Sequence, residues 1–450
     1  MLSLDTLLEM TSILKTLTKP IATVLASAQD AVSALWTFPS VLGSAMLIAW
    51  GAEAAQFLIS QGLALAILAW LQTLPEFAVE AVIAWEAGKA VHEFGAGTPK
   101  AHHATALMTA NFTGSLRLLV GLGWPMIYGT AAFFYRRREK KSLKEIRLER
   151  EHAVEVVFLL ICIGYFFLVW LKGTLTWVDS LILTFIYIVY LVFLNKIPPQ
   201  EEEKMEDMDR IPRYILSRRP AMRNALITSL FIGGGLILYF AAHPFLKSLE
   251  ALSVGLGIST FVFIQWVAPF LSEFPEKVSA FNWARKVTSA PMALMNMVSS
   301  NINQWTMLVA MLPLAYAFSL GSFGTIEFDH HQRVEILMTI GQSLLGALLL
   351  ANMRFGWWES ALLFLLWATQ FVLSGFEKPF GPDDLHNSLA LQVAGWLSVG
   401  VEGVEDFARI GKEVITGLYF VWSAIILLTA FRKRSFEAIT EFPRLMREHW

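Results

Sequence analysis

Apolar runs long enough to cross a bilayer recur along almost the whole chain, and no other feature constrains its fold as much. A helix needs about 18–20 apolar residues to span the hydrocarbon layer. Such runs are expected near 41–59, 61–86, 104–134, 152–171, 174–195, 223–242, 250–284, 291–321, 333–353, 357–375 and 412–431. Three of them are long enough to be tilted or broken. Only 16% of the 450 residues are charged, against about a quarter in a soluble domain, and mean hydropathy is +0.53. The chain therefore reads as an all-α polytopic membrane protein in contact with lipid. A net charge of −2 gives no field that would attract nucleic acid. The single cysteine, Cys162, excludes an internal disulfide framework, and the N-terminus lacks the pattern of a cleaved signal peptide.

Lysine and arginine in the short loops set the orientation. Residues 136–150 hold eight basic residues, 196–223 hold seven and the tail after 431 holds five, whereas 87–103 and 376–411 hold two each. With spans grouped five, five and one, all three basic regions fall on one side, the cytoplasmic side. An odd number of spans per half places the halves in opposite orientations. The expected architecture is two inverted five-helix repeats plus one extra C-terminal span, about 11 transmembrane helices in a cell membrane. Its parts are an N-terminal interfacial segment (1–40), a first repeat (41–195), a cytoplasmic linker (196–222), a second repeat (223–375), and an extracytoplasmic loop, last span and cytoplasmic tail (376–450).

The repeat is visible in the residues. "TLPEFAVE" (Thr73 to Glu80) aligns with "EFPEKVSA" (Glu273 to Ala280), with Pro-Glu in register. "ALMTANFTGS" (Ala106 to Ser115) aligns with "ALMNMVSS" (Ala293 to Ser300), pairing Asn111 with Asn296 and Ser115 with Ser300. Proline removes a backbone donor, so the helix opens at Pro75 and Pro275, and freed carbonyls inside a membrane need a partner. Glu76 and Glu276 add negative charge at the same depth. Brought together by the repeat, they make an oxygen-lined site suited to a hard cation. Glu80 lies four residues from Glu76, while Ser272 and Glu273 lie four and three from Glu276, on one helical side each. The alternatives are a structural kink for the glutamates, helix packing for the Ser and Asn residues, and a local carbonyl bond for Thr73 and Ser272. Glu53 in the first span is a further candidate to line the cavity.

These residues resemble the alpha-repeats of the cation/Ca²⁺ exchanger superfamily, the sodium/calcium exchanger membrane region. The first half reads "LQTLPE" and "ANFTGSLRLL", the second "LSEFPE" and "MNMVSSNINQ", and the layout covers residues 41 to 375. The resemblance implies an antiporter, not an enzyme, that exchanges Ca²⁺ for Na⁺ or H⁺ by alternating access without an organic cofactor. It makes Glu76 and Glu276 the central ligands and Thr73, Ser115 and Ser300 secondary ones. The chain departs from the family pattern at Leu119 and Gln304, where a second Asn or Asp is usual, and at Glu273, which adds a carboxylate. Arg117 and Lys277 bring positive charge to the same region and stand as possible charge partners. A cation carried by the protein would replace a bound one and favour protons over Na⁺. The rival readings are an exchanger fold whose substrate has changed or whose transport is lost through Leu119, Arg117 and Lys277, and an intramembrane enzyme, for which no nucleophile–base signature appears. The adjacent pairs His102-His103 and His330-His331 read as solvated loop residues, not zinc ligands, and "EEEKMEDMD" as a solvated linker.

Overall fold

The computed structural model describes residues 4–58, 68–197, 208, 210–378, 387–433 and 436–449, with side chains from residue 28 to 430 and again from 436. The acidic run at 201–209, apart from Met208, lies outside the described residues, as do the side chains of residues 1–27 on which the interfacial reading rests. Helix is the dominant element. Helix α1 (Leu4–Ala55) is continuous through residue 40, where the sequence places a boundary. A short helical stretch at 68–72 ends at Thr73, and α2 (Leu74–Phe94) follows. Helices α3 (Pro99–Leu118) and α4 (Trp124–Glu139) are joined without a loop by a π-helical turn, Leu119–Gly123. Helices α5 (Ala153–Lys172) and α6 (Trp177–Lys196) close this part of the chain.

After the short α7 (Arg210–Leu216), the same order recurs. Helix α8 (Pro220–Leu256) keeps Pro244 in its interior, so the break expected between 242 and 250 is absent. The turn comes instead at Gly257, whose φ of +66° suits glycine. Helices α9 (Thr260–Ser272) and α10 (Phe274–Lys286) meet at Glu273. A π-helical turn, Gln304–Leu308, joins α11 (Ala290–Asn303) to α12 (Val309–Leu320). Helices α13 (His330–Leu350) and α14 (Trp357–Ser374) follow, then α15 (Ser388–Leu397), α16 (Val401–Lys433) and α17 (Glu437–His449). Among the described residues, seven helices are long and apolar enough to cross a membrane, the last at Val401–Ala430.

Four short strands cross-link the two parts. Strand β1 (Glu145–Arg147) pairs antiparallel with β4 (Arg354–Gly356), with Ile146 opposite Phe355. Strand β2 (Thr174–Leu175) pairs with β3 (Ile326–Glu327). Each sheet takes one strand from each half. Helices α1 and α8 pack along each other through small residues: Ser44 donates to the Gly234 carbonyl at 2.7 Å, and Thr37 and Ser248 share a hydrogen bond of 3.0 Å. Gly114 serves α3 in the same way. A Cβ there would fall 1.8 Å from the Gln265 carbonyl oxygen, so α3 lies against α9 only because that atom is missing.

Candidate cation-binding site

Two helix breaks build the site, one in each half. At Thr73 (φ −86°, ψ −3°) and Glu273 (φ −93°, ψ 2°) the chain stops one helix and starts the next, with Pro75 and Pro275 in the new first turns. Proline fits there because the first helical N–H groups have no partner within the helix. Glu76 and Glu276 occupy the same first turns, where the positive end of the helix dipole stabilises a carboxylate. Each break thus places a glutamate in the equivalent position of the helix that follows it.

Most of the predicted ligands lie in one buried cluster. Glu76, Glu80, Glu273 and Glu276 are all at most 1% exposed. Gln304 bridges two of them, donating from Nε2 to Glu76 Oε2 at 2.8 Å and to Glu273 Oε1 at 3.0 Å. Ser115 donates to Glu273 and stands beside Glu76. Glu273, at the break of the second half, is thus tied through Gln304 to Glu76 in the first turn after the other break. Ser300 stands beside Glu276. Thr73 Oγ1 accepts from Asn303 Nδ2 at 2.5 Å and donates to the Trp70 carbonyl at 2.9 Å. Asn296 reaches Gln72 at 3.3 Å.

The oxygens are not equally engaged. Glu273 takes Ser115 and Gln304 on Oε1 and the Lys277 ammonium on Oε2 at 2.5 Å. Glu80 accepts from Asn111 on Oε2. Among the described residues, Glu76 Oε1, Glu80 Oε1, both oxygens of Glu276 and Ser300 Oγ are buried without a hydrogen-bond partner. Unpartnered buried acceptors cost free energy, and a set of carboxylate and hydroxyl oxygens suits a hard divalent cation. Both oxygens of Glu273 are already engaged by protein donors.

The two cations go to different places. Lys277, on α10, is inside the cluster. Arg117 leaves it: its Nη2 donates to Glu335 Oε2 at 2.5 Å, its Nε to the Thr113 carbonyl at 3.1 Å, and its guanidinium lies 5.1 Å from the Trp266 ring. The π-helical turns begin at Leu119 and Gln304, the two positions where the sequence departs from the exchanger pattern. Gln304 takes part in the site; Leu119 is buried in the apolar core. π turns often accompany functional sites, yet neither turn has a signature in the sequence.

Sequence reasoning missed a second polar cluster, made of His331, Glu335, Glu377 and Lys412. His331, read as a loop residue, lies in the first turn of α13 with Nε2 2.9 Å from Glu377 Oε1. A glutamate inside the apolar run "RVEILMTIG" is the signal that could have found it.

A family model described as "Sodium/calcium exchanger protein" matches residues 31–196 and 226–376. Among solved structures, "Crystal Structure of H+/Ca2+ Exchanger CAX" is 26% identical with a TM-score of 0.73, covering 99% of this chain and 98% of that one. "Structure of native YfkE" is 14% identical with a TM-score of 0.53, covering 79% and 98%. No curated protein matches the chain.

Proposed function

Because the chain belongs to the sodium/calcium exchanger protein family, an integral membrane transporter family and not an enzyme family, we propose that it exchanges Ca²⁺ for protons by alternating access. Glu76 and Glu276 hold the divalent ion, Ser115 and Ser300 complete its oxygen shell, and Thr73 anchors the first break. Glu80 and Glu273 support the carboxylate field. The observation that carries this reading is the set of carboxylate oxygens on Glu76 and Glu276, at the two helix breaks, that lack a hydrogen-bond partner among the described residues.

Proton coupling is favoured over Na⁺ by Lys277. Its ammonium sits 2.5 Å from Glu273, where a bound monovalent cation would otherwise neutralise that carboxylate. The likeness to a structure named as an H⁺/Ca²⁺ exchanger points the same way. Arg117, held by Glu335, stays off the site and gives no ground for lost transport.

In this reading eleven spans form two oppositely oriented five-helix halves (41–195 and 223–375) and an extra one, α16. The basic segments, the linker 196–222 and the tail face the cytoplasm. Paired strands must lie on one face, and β1 with β4, and β2 with β3, are the pairs that opposed halves bring together. Proteoliposomes test the function. An imposed pH gradient drives Ca²⁺ uptake, an imposed Na⁺ gradient does not, and Glu76→Gln or Glu276→Gln lowers uptake by more than about 100-fold, the upper end of what losing even an indirect support of a metal site costs. Uptake driven equally by Na⁺ removes the proton assignment, and uptake indifferent to both substitutions removes the site.

A further inference from the structure

Helix α16 begins at Val401, beyond residue 376 where the match to the exchanger family ends, yet it sends a charged side chain into the buried core of the second half. The Lys412 side chain is 3% exposed. Its Nζ donates to Glu377 at 2.9 and 3.0 Å and to Glu335 Oε1. Glu335, on α13, is 0% exposed; its other oxygen takes Arg117 at 2.5 Å and Gln265 at 2.8 Å. His331 Nε2 completes the group, 2.9 Å from Glu377. One ligand atom each from His331, Glu335 and Glu377 lies within 4.8 Å of the others. One imidazole and two carboxylates are a donor set for a divalent metal of the Mn²⁺ or Zn²⁺ kind.

We infer that the Lys412 ammonium is a tethered cation occupying a three-ligand divalent-metal site, His331–Glu335–Glu377, and that it closes this site to free ions. The charge count agrees. Two carboxylates are balanced by Arg117 and Lys412, and two ionised glutamates buried this far from water need such partners. A free divalent ion could enter only by displacing the ammonium, which would then be buried without a carboxylate. The C-terminal span is therefore a working part of the transporter: it removes a competing site and leaves Glu76 and Glu276 to take the ion.

The test is Mn²⁺ binding to the full chain in detergent, followed by loss of the free-ion paramagnetic resonance signal. It is done in a Glu276→Gln background, so binding at the proposed transport site does not contribute and the result is independent of the exchanger reading. With Lys412 intact, no Mn²⁺ binds. Lys412→Ala in that background gains a Mn²⁺ equivalent and a Mn²⁺-dependent rise in Tm, and both are lost again when Glu377→Gln is added. Lys412→Met, which keeps the apolar stem, serves if the alanine variant does not fold. Folded variants that bind no Mn²⁺, binding that survives Glu377→Gln, or equal binding with Lys412 present each overturn the inference. So does failure of both variants to fold with Mn²⁺ supplied, since the metal then does not replace the ammonium.

Discussion

Two buried glutamate clusters lie in the interior of this protein, and they differ in what is left over. Around Glu76 and Glu276, buried carboxylate oxygens lack hydrogen-bond partners among the described residues. Around Glu335 and Glu377, all four carboxylate oxygens have donors, supplied by Lys412, Arg117, Gln265 and His331. Residue type does not separate the two clusters; the balance of fixed positive charge does. A carboxylate that the protein has already neutralised serves the structure, while under the proposed function one left without a cation is open to take an ion. Lys277 shows the same contrast inside the first cluster, where its ammonium pairs with Glu273 at 2.5 Å.

The comparison is tested most severely by removing a carboxylate from each cluster. Glu335→Gln strips Lys412 and Arg117 of a shared partner, and breaking a buried pair from one side costs about 3–5 kcal/mol. It should unfold the detergent-solubilised chain at markedly lower temperature. Glu276→Gln breaks no ion pair among the described residues and should leave Tm unchanged or raised. Equal destabilisation by the two would erase the distinction.

Gly114→Ala is expected to be the next largest effect. The added methyl meets the Gln265 backbone oxygen, and such overpacking costs about 1–3 kcal/mol. Because Gln265 donates to Glu335 and Ser115 to Glu273, this one change should disturb both clusters, lowering Tm and Ca²⁺ uptake together. A Tm within error of wild type would show that α3 and α9 are not in close contact.

Lys277→Met should sharpen the comparison within the transport site. Freed of its ammonium, Glu273 can take a monovalent cation, and Ca²⁺ uptake should acquire a dependence on a Na⁺ gradient. Uptake that stays insensitive to Na⁺ would mean that Lys277 does not set the coupling ion.

The smallest effect lies outside the membrane, at α17. There Arg150 pairs with Glu448 at 2.7 Å, and that hydrogen bond holds the Glu448 carboxyl below its ordinary range. A depressed carboxyl stabilises the fold fully above the ordinary carboxylate range, and the contribution fades as pH falls through the lowered value. The pair is exposed, so Arg150→Gln should change stability only marginally. It should flatten the acid limb of a pH–Tm profile slightly, and an unchanged limb would show the pair to be idle.

The first cluster was largely legible in the sequence and the second was not, for a physical reason. Pro75-Glu76 and Pro275-Glu276 combine a helix breaker and a charge at one depth, and both events leave local signatures that the repeat doubles. The Lys412 contacts span 77 and 35 residues and the Arg117–Glu335 contact 218, so spacing along a helix says nothing about them. Lys412 stands at the expected start of the last span, but α16 begins eleven residues earlier, which puts Lys412 inside the helix. The π turns at Leu119 and Gln304 were invisible because an extra residue in a helical turn has no compositional mark. Gln304, a departure from the exchanger pattern in the sequence, bridges Glu76 and Glu273.

The most direct measurement is Ca²⁺ binding to the purified chain at equilibrium, with wild type, Glu76→Gln and Glu276→Gln compared side by side. The account predicts a bound ion in the wild type and none at the same free Ca²⁺ in either variant, with both variants still folded. Undiminished binding in the two folded variants would contradict it.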